Sequence, residues 1–178
     1  MRLKFWKPKI DRNQWSESPE NSLETYENMM RWSWEETREQ APDYFERLRY
    51  SVEHAHGRVL EIGAGIGTMT RWLAMSEQVR SILATDAFEE PIKKLEGASL
   101  PKTRARCMPV EDMHLGKDAF FDTVMLCEVL EHIYLDEEKK MLRRLRDHVG
   151  PETTWIVSTP IGFMPDPHHV RGFSKKNF

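Results

Sequence analysis

The chain has 178 residues, of which 39% are hydrophobic and 31% charged, and its formal net charge is −3. This composition predicts one globular domain with its own core, and it argues against a disordered chain or a general nucleic-acid-binding surface. Two cysteines are too few for a disulfide framework, and no apolar run approaches the ~20 residues that span a bilayer. The basic N-terminus lacks the apolar segment of a secretory signal, so we expect a cytoplasmic protein.

The N-terminal third is expected to contain an arm and two helices. Residues 1–20 are charged, contain two prolines and predict an extended arm. Residues 21–56 predict helices that cover a site. The first is capped by Asn21 or Ser22 and keeps helical spacing as far as Trp34, and the second opens at Pro42 and ends at Gly57.

From residue 57 to residue 178, strands and helices alternate, which predicts an α/β domain with a doubly wound, mostly parallel sheet. Ser174 resembles the cap of a further helix close to the end of the chain. The sheet edge beside the last strand is then open unless a second copy or a partner subunit covers it. Strands are predicted at 59–62, 81–85, 104–108, 122–127 and 155–158, and helices at 68–75, 89–95 and 136–149.

Three glycines at alternate positions, Gly63, Gly65 and Gly67, follow the first predicted strand. A strand, a glycine turn and a helix N-terminus form a place where backbone can approach a ligand closely. The dinucleotide fingerprint would need a glycine where Thr68 stands, and a phosphate-binding P-loop would need a lysine that is missing here. The turn therefore indicates a different ligand.

Acidic residues follow the next two predicted strands. Asp86 ends the second strand and is placed to accept hydrogen bonds from the two hydroxyls of a ribose. After the third strand, Glu111 and Asp112 offer an acid that can accept an amino proton from adenine. The set describes a site for a nucleoside that needs no diphosphate.

In order, Glu61-Ile-Gly-Ala-Gly-Ile-Gly67, Asp86, Glu111-Asp112 and the run from Phe121 to His132 resemble the motifs of class I S-adenosylmethionine-dependent methyltransferases. The resemblance covers roughly residues 57–174 and implies a Rossmann-like fold with strand order 3-2-1-4-5, in which the usual last two strands are absent. It implies S-adenosyl-L-methionine as cofactor, with S-adenosyl-L-homocysteine as product. The cofactor contacts that it implies are Glu61, Gly63, Ala64, Gly65, Gly67, Asp86, Ala87, Glu111, Asp112, Met113 and Cys127.

The resemblance also implies what surrounds each part of the cofactor. The glycine turn would pass beneath the methionine part, with Glu61 near the amino group. Asp112 and Met113 would flank the adenine, and Cys127 with Glu128 would face the methyl group.

Glu128-Val-Leu-Glu131-His132, followed by Ser158-Thr-Pro160 and His168-His-Val-Arg171, is similar to the ubiquinone-biosynthesis O-methyltransferase group. This similarity implies in-line methyl transfer to an oxygen of a small-molecule acceptor. A weaker resemblance, to RNA 3′-terminal 2′-O-methyltransferases of the small-RNA type, implies a metal-dependent RNA enzyme. A non-catalytic methyltransferase-like partner subunit is a third alternative. An apolar or aromatic acceptor is suggested by Met29, Met30, Trp32, Trp34, Phe163 and Met164.

Glu128, Glu131 and His132 stand at positions i, i+3 and i+4, so a helix starting there would place all three on one face. With His169, or its neighbour His168, they offer ligands for a divalent metal such as Mg²⁺, which would lower the pKa of an acceptor hydroxyl. Without a metal, His132 or His169 can act as a general base, with Glu128 beside it. A purely structural role is the third reading of these residues.

Overall fold

The computed structural model describes residues 23–162 and 168–176, so the arm predicted at 1–20 lies outside the described residues. A five-stranded sheet with strand order β3-β2-β1-β4-β5 forms its centre, and every neighbouring pair is parallel. The predicted fold class and strand order are confirmed. The strands are β1 (Gly57–Ile62), β2 (Val79–Asp86), β3 (Thr103–Cys107), β4 (Thr123–Cys127) and β5 (Thr154–Ser158).

Helices flank the sheet on both faces, as the alternating pattern predicts. Short 3-10 turns lie at Val110–Asp112, Leu130–His132 and Arg146–His148. Within the described ranges, no helix has the length and apolar character needed to cross a membrane. The helices are α1 (Leu23–Met29), α2 (Trp34–Gln40), α3 (Pro42–His54), α4 (Thr70–Met75), α5 (Glu89–Gly97) and α6 (Leu135–Leu145).

The N-terminal helices differ from the prediction, since residues 23–56 contain three helices where two are expected. The first ends at Met29, and Trp34 begins a separate helix. Ser33 and Glu36 form a capping box at this break: Glu36 N donates to Ser33 Oγ at 3.1 Å, and Ser33 N donates to Glu36 Oε2 at 2.7 Å. Periodicity alone predicts one continuous helix across this cap, because Trp34 keeps helical spacing with the residues before it.

Smaller corrections concern the ends of elements. The second predicted helix ends at His54, and Gly57 begins β1 with φ +63°. The helix predicted from residue 68 begins at Thr70. Near the end of the chain, Ser174 Oγ accepts from Lys176 N at 3.3 Å in a turn, and the helix predicted beyond it falls outside the described residues.

The core forms two layers because side chains alternate across the central strand. Val59 packs with Leu48, from α3, on one face of the sheet. Leu60 and Ile62 pack with Met141, from α6, on the other face. Burial of β1 on both faces fixes the register of the sheet around it.

The carboxyl ends of β1, β2 and β4 lie at one edge of the sheet. The chain moves outward from β1 to β2 and β3 on one side, and to β4 and β5 on the other. Such a reversal leaves a crevice outside the strand ends where α/β folds bind ligands. The fold therefore places the glycine turn, Asp86 and Cys127 around a common space.

Replacing Gly67 tests how tightly the glycine turn packs against Leu95 of α5. Gly67 has φ +91°, and a Cβ there would lie 2.4 Å from Cδ1 of Leu95, which is only 2% exposed. We expect Gly67→Ala to lower the free energy of unfolding by about 2–3 kcal/mol through backbone strain and overpacking, as measured by urea denaturation. Gly97→Ala is the matched control, because a Cβ there meets nothing within 4 Å. An equal loss in both variants would contradict this explanation.

Candidate functional site

A cavity of about 580 Å³ lies at the carboxyl ends of β1, β2 and β4, a volume typical of small-molecule sites. Most residues predicted to bind a nucleoside cofactor line it, although they come from segments far apart in the sequence. The predicted residues in its lining are Glu61, Gly63, Ala64, Gly65, Asp86, Ala87, Glu111, Cys127, Glu128 and His132.

Backbone hydrogen bonds join the glycine turn to the end of β2. The N–H groups of Gly63 and Ala64 both donate to the carbonyl oxygen of Thr85, at 2.8 and 2.9 Å. A Cβ on Gly63 would lie 2.4 Å from Cγ2 of Val129, so only glycine fits between the turn and the segment after β4. The turn is thus held in place from both sides.

Asp86 extends this connection through its side chain. Its Oδ2 accepts from Gly65 N at 2.9 Å and its Oδ1 accepts from Phe88 N at 3.0 Å. Burial raises the pKa of this carboxyl, while hydrogen bonds from the backbone N–H groups of Phe88, Gly65 and Ala87 oppose the rise. Since each carboxylate oxygen has two lone pairs, Asp86 keeps acceptor capacity toward the cavity while it holds the turn.

Glu61 is the most deeply buried acid of the cavity lining, at 5% exposure. Thr70 Oγ1 donates to Glu61 Oε2 at 2.7 Å. Burial raises the pKa of Glu61 to about 7, the Thr70 hydrogen bond lowers it, and the charge of Asp86 raises it further. Near neutral pH this carboxyl is present in both its protonated and its ionised form, and a cationic ligand would favour the ionised form.

Three residues predicted to contact the cofactor do not line the cavity. Asp112 is exposed, and Met113 is buried in the core layer next to α6. Gly67 packs against Leu95. The 3-10 turn at Val110–Asp112 turns Glu111 toward the cavity and Asp112 away from it, and the apolar lining there is supplied by Phe88, Met108 and Val110.

Cys127 and Glu128 end β4 at the cavity. Burial raises the pKa of the Cys127 thiol to about 11, so this sulfur is protonated at neutral pH. Ser158 Oγ, at the end of β5, donates to Glu128 Oε1 at 2.7 Å, and Arg47 Nη1 lies 3.9 Å from Glu128 Oε2. Glu128 is therefore a fixed, ion-paired acid at the cavity wall.

The helix predicted to start at Glu128 is wrong. Glu128 has φ +56°, and only a 3-10 turn, Leu130–His132, follows it. Glu128 therefore stands apart from the expected ligand set. The ligand atoms of Glu131, His132 and His169 lie within 4.8 Å of one another.

This group of three sits between two cavities. His132 and His168 line the large one, whereas Glu131 and His169 line a neighbouring cavity of about 70 Å³. His132 Nδ1 donates to the His168 carbonyl oxygen at 3.3 Å, and Thr159 Oγ1 donates to Glu131 Oε2 at 3.1 Å. Of the four predicted catalytic or metal-binding residues, Glu128 and His132 reach the large cavity.

Several lining residues come from the N-terminal helices, and of these the sequence alone suggested only Met29 and Trp32. Tyr44 lies with its hydroxyl beside Thr68, and burial raises the pKa of the phenol. The concentration of aromatic residues before β1 is the signal that could have found this wall. The lining residues from this segment are Thr25, Tyr26, Met29, Trp32, Gln40, Ala41, Tyr44 and Arg47.

The residues suggested for an aromatic or apolar acceptor divide into four groups. Met29 and Trp32 line the cavity. Trp34 packs edge-on between Phe45 and Trp72, with ring centroids 4.8 and 5.0 Å apart, and belongs to the core. Met30 is partly buried near the cavity but not in its lining, and residues 163–164 lie outside the described residues.

Comparison with known proteins supports the fold. A family model described as a methyltransferase domain matches residues 60–154, which is more than half of the chain. Among curated proteins no match was found.

Solved structures share the fold at low identity. YcgJ from Bacillus subtilis aligns with a TM-score of 0.60 and 18% identity, over 74% of this chain and 63% of its own. A DhpI–SAM–HEP complex aligns with a TM-score of 0.58 and 23% identity, over 78% of this chain and 61% of its own. An S-adenosylmethionine-dependent methyltransferase from Clostridium acetobutylicum aligns with a TM-score of 0.55 and 16% identity, over 78% and 56%. This chain therefore spans less than two thirds of the length of these proteins.

The raised pKa of Glu61 predicts a pH-dependent stability. As pH rises from about 4.5 to 7, Glu61 ionises in the unfolded chain but keeps its proton in the folded one, so the free energy of unfolding falls. Glu61→Gln retains an acceptor for Thr70 and removes this effect. We expect its stability relative to the unchanged protein to rise by on the order of 2 kcal/mol between pH 5 and pH 8, as measured by urea denaturation. Glu77→Gln, at an exposed position, is the control, and parallel curves for all three proteins would contradict the shift.

Proposed function

The chain belongs to the methyltransferase domain family, and on that premise we propose that it transfers a methyl group from S-adenosyl-L-methionine to an oxygen of a small-molecule acceptor. The observation that carries the proposal is Asp86. Its carboxylate anchors the glycine turn and still has lone pairs for the two ribose hydroxyls. No observation on the described residues favours the RNA acceptor or the non-catalytic alternative.

Charge and shape of the lining support this cofactor. Five carboxyl groups line the cavity, those of Glu61, Asp86, Glu111, Glu128 and Glu137, against one guanidinium, that of Arg47. A net negative cavity attracts a cationic sulfonium. The apolar residues after β2 and β3 offer a slot for a flat base, and Glu111 at its rim can accept an amino proton.

Methyl transfer requires little covalent catalysis by the protein. When bound, the sulfonium supplies an activated methyl group, so the residues have to align the acceptor, exclude water and accept a proton. His132 is placed for the last task. Because its Nδ1 donates to the His168 carbonyl, a neutral ring carries its lone pair on Nε2, where it can accept the acceptor's proton.

A divalent metal is the second candidate for activating the acceptor. Glu131, His132 and His169 supply one carboxylate and two imidazoles, a donor set that suits Mn²⁺ or Zn²⁺ and admits Mg²⁺. The Oε1 atom of Glu131 is buried without a hydrogen-bond partner, which favours a ligand role for this oxygen. A metal held there would lower the pKa of an acceptor hydroxyl.

Asp86→Ala tests the cofactor assignment. The variant loses both the ribose acceptor and the anchor of Gly65, so we expect the Kd for S-adenosyl-L-methionine to rise by about 100-fold, as measured by calorimetry. Asp118→Ala removes an acid from an exposed loop and should leave the Kd unchanged. An unaltered Kd in Asp86→Ala would overturn the assignment.

His132→Ala tests proton removal. A phenol or catechol acceptor is first identified by screening for release of S-adenosyl-L-homocysteine from the unchanged protein. With that acceptor, we expect kcat of His132→Ala to be lower by ~10²–10⁴-fold while the Kd for the cofactor stays within about twofold. A proportionate loss of cofactor affinity would contradict the base role.

EDTA separates the two ways of activating the acceptor. Turnover that survives EDTA and falls in His132→Ala supports a general base. If EDTA abolishes turnover and Mn²⁺ restores it in the unchanged protein but not in Glu131→Gln, a metal held by Glu131, His132 and His169 activates the acceptor.

A further inference from the structure

Residues 23–33, here called the lid, form one wall of the large cavity. They comprise α1 and the connection to α2, and they contribute Thr25, Tyr26, Met29 and Trp32 to the lining. A ligand that fills the cavity contacts this wall. The stability of the lid therefore bears on how a ligand enters and leaves.

The chain turns directly after α1. The seven described residues of α1 are fewer than an isolated helix needs in water. The N–H groups of Met30, Arg31 and Trp32 donate to carbonyl oxygens of its last turn, and the carbonyl groups of the turn itself then face other elements. Its position must come from contacts with the rest of the domain.

Arg71, from α4, holds the turn that follows α1. Its Nη1 donates to the carbonyl oxygen of Met30 and its Nη2 to that of Trp32, each at 2.6 Å. Hydrogen bonds from a charged donor at such distances are among the stronger ones. The two arms of one guanidinium thus hold both sides of the turn in which α1 ends.

The guanidinium is itself fixed in place. It lies 4.3 Å from the ring centroid of Trp72, in cation–π geometry, and Trp72 packs edge-on against Trp34. Arg71 belongs to α4, the helix that follows the glycine turn, and its N–H donates to the carbonyl oxygen of Gly67. Arg71 therefore links the glycine turn to the lid through its backbone N–H and its side chain.

An ion pair also joins α1 to α5. Lys94, from α5, forms an ion pair with Glu27, and both side chains are more than a third exposed. Exposed pairs of this kind contribute little.

We propose that Arg71 is a positioning residue that latches the lid over the cofactor cavity and thereby sets how long the cofactor and its product stay bound. The inference rests on the proposed function only for the identity of the ligand. Without Arg71, the turn after α1 loses both of these donors, the lid opens more often, and ligand escapes faster. His132 belongs to the 3-10 turn after β4, outside the lid and α4, so its proposed role in proton removal is not altered directly.

Two variants and a control test the latch. Arg71→Ala removes both donors, whereas Arg71→Lys keeps the charge and stem but has one ammonium in place of a two-armed fork. Arg38→Ala, at an exposed position on α2, removes a guanidinium that the latch does not use. The readouts are the dissociation rate of S-adenosyl-L-homocysteine by stopped flow and amide hydrogen exchange over the whole chain.

We expect Arg71→Ala to raise the dissociation rate by about tenfold or more and Arg71→Lys to give an intermediate rate. The Arg38→Ala variant should behave as the unchanged protein. Faster exchange should be confined to residues 26–33. Unchanged dissociation and exchange in Arg71→Ala would overturn the proposal, as would faster exchange throughout the sheet with no recovery in Arg71→Lys, because that pattern marks a general loss of packing.

Failure of the proposed function is seen separately. If the unchanged protein does not bind S-adenosyl-L-homocysteine, the cofactor assignment is wrong. Exchange in the lid of the ligand-free variants still decides whether Arg71 latches it.

Discussion

The site depends on the hydrogen bonds that tie the glycine turn to the end of β2. Thr85 accepts from two successive N–H groups of the turn, and Asp86 accepts from Gly65. These bonds fix the turn relative to Asp86, the carboxylate that we propose holds the ribose hydroxyls. Because β1 pairs in parallel with both β2 and β4, the same geometry places Cys127 and Glu128 on the other side of the cavity.

Burial of acids is the second constraint. Glu61 and Asp86 both have raised pKa values because burial disfavours their charged forms, and each is compensated by hydrogen-bond donors. Such an arrangement costs stability near neutral pH and provides an environment that a cationic ligand would relieve. The same buried acids therefore support the proposed cofactor, whose sulfonium is positively charged.

Sequence patterns predicted the central features well, since these depend on local order. The sequence alone shows five apolar strands between helices, three spaced glycines and an acid at the end of the second strand. In the structure, each of these features lies at its predicted place in the sheet. Asp112 and Glu128 show the limit. Whether Glu111 or Asp112 faces the cavity is decided by a single 3-10 turn, and the positive φ of Glu128 removes it from the face expected to be shared with Glu131 and His132.

Local patterns were enough to predict the fold class, the strand order implied by the motifs and the place of the glycine turn, because strand period, helix caps and turn residues act over a few positions. The three-dimensional structure was needed to show which N-terminal residues line the cavity beside Met29 and Trp32, and that Arg71 holds the turn after a helix about forty residues before it. It was also needed to show that His169, of the two neighbouring histidines, is the one that joins Glu131 and His132. Those contacts join segments with no mutual periodicity, so they exist only once the sheet has brought the segments together.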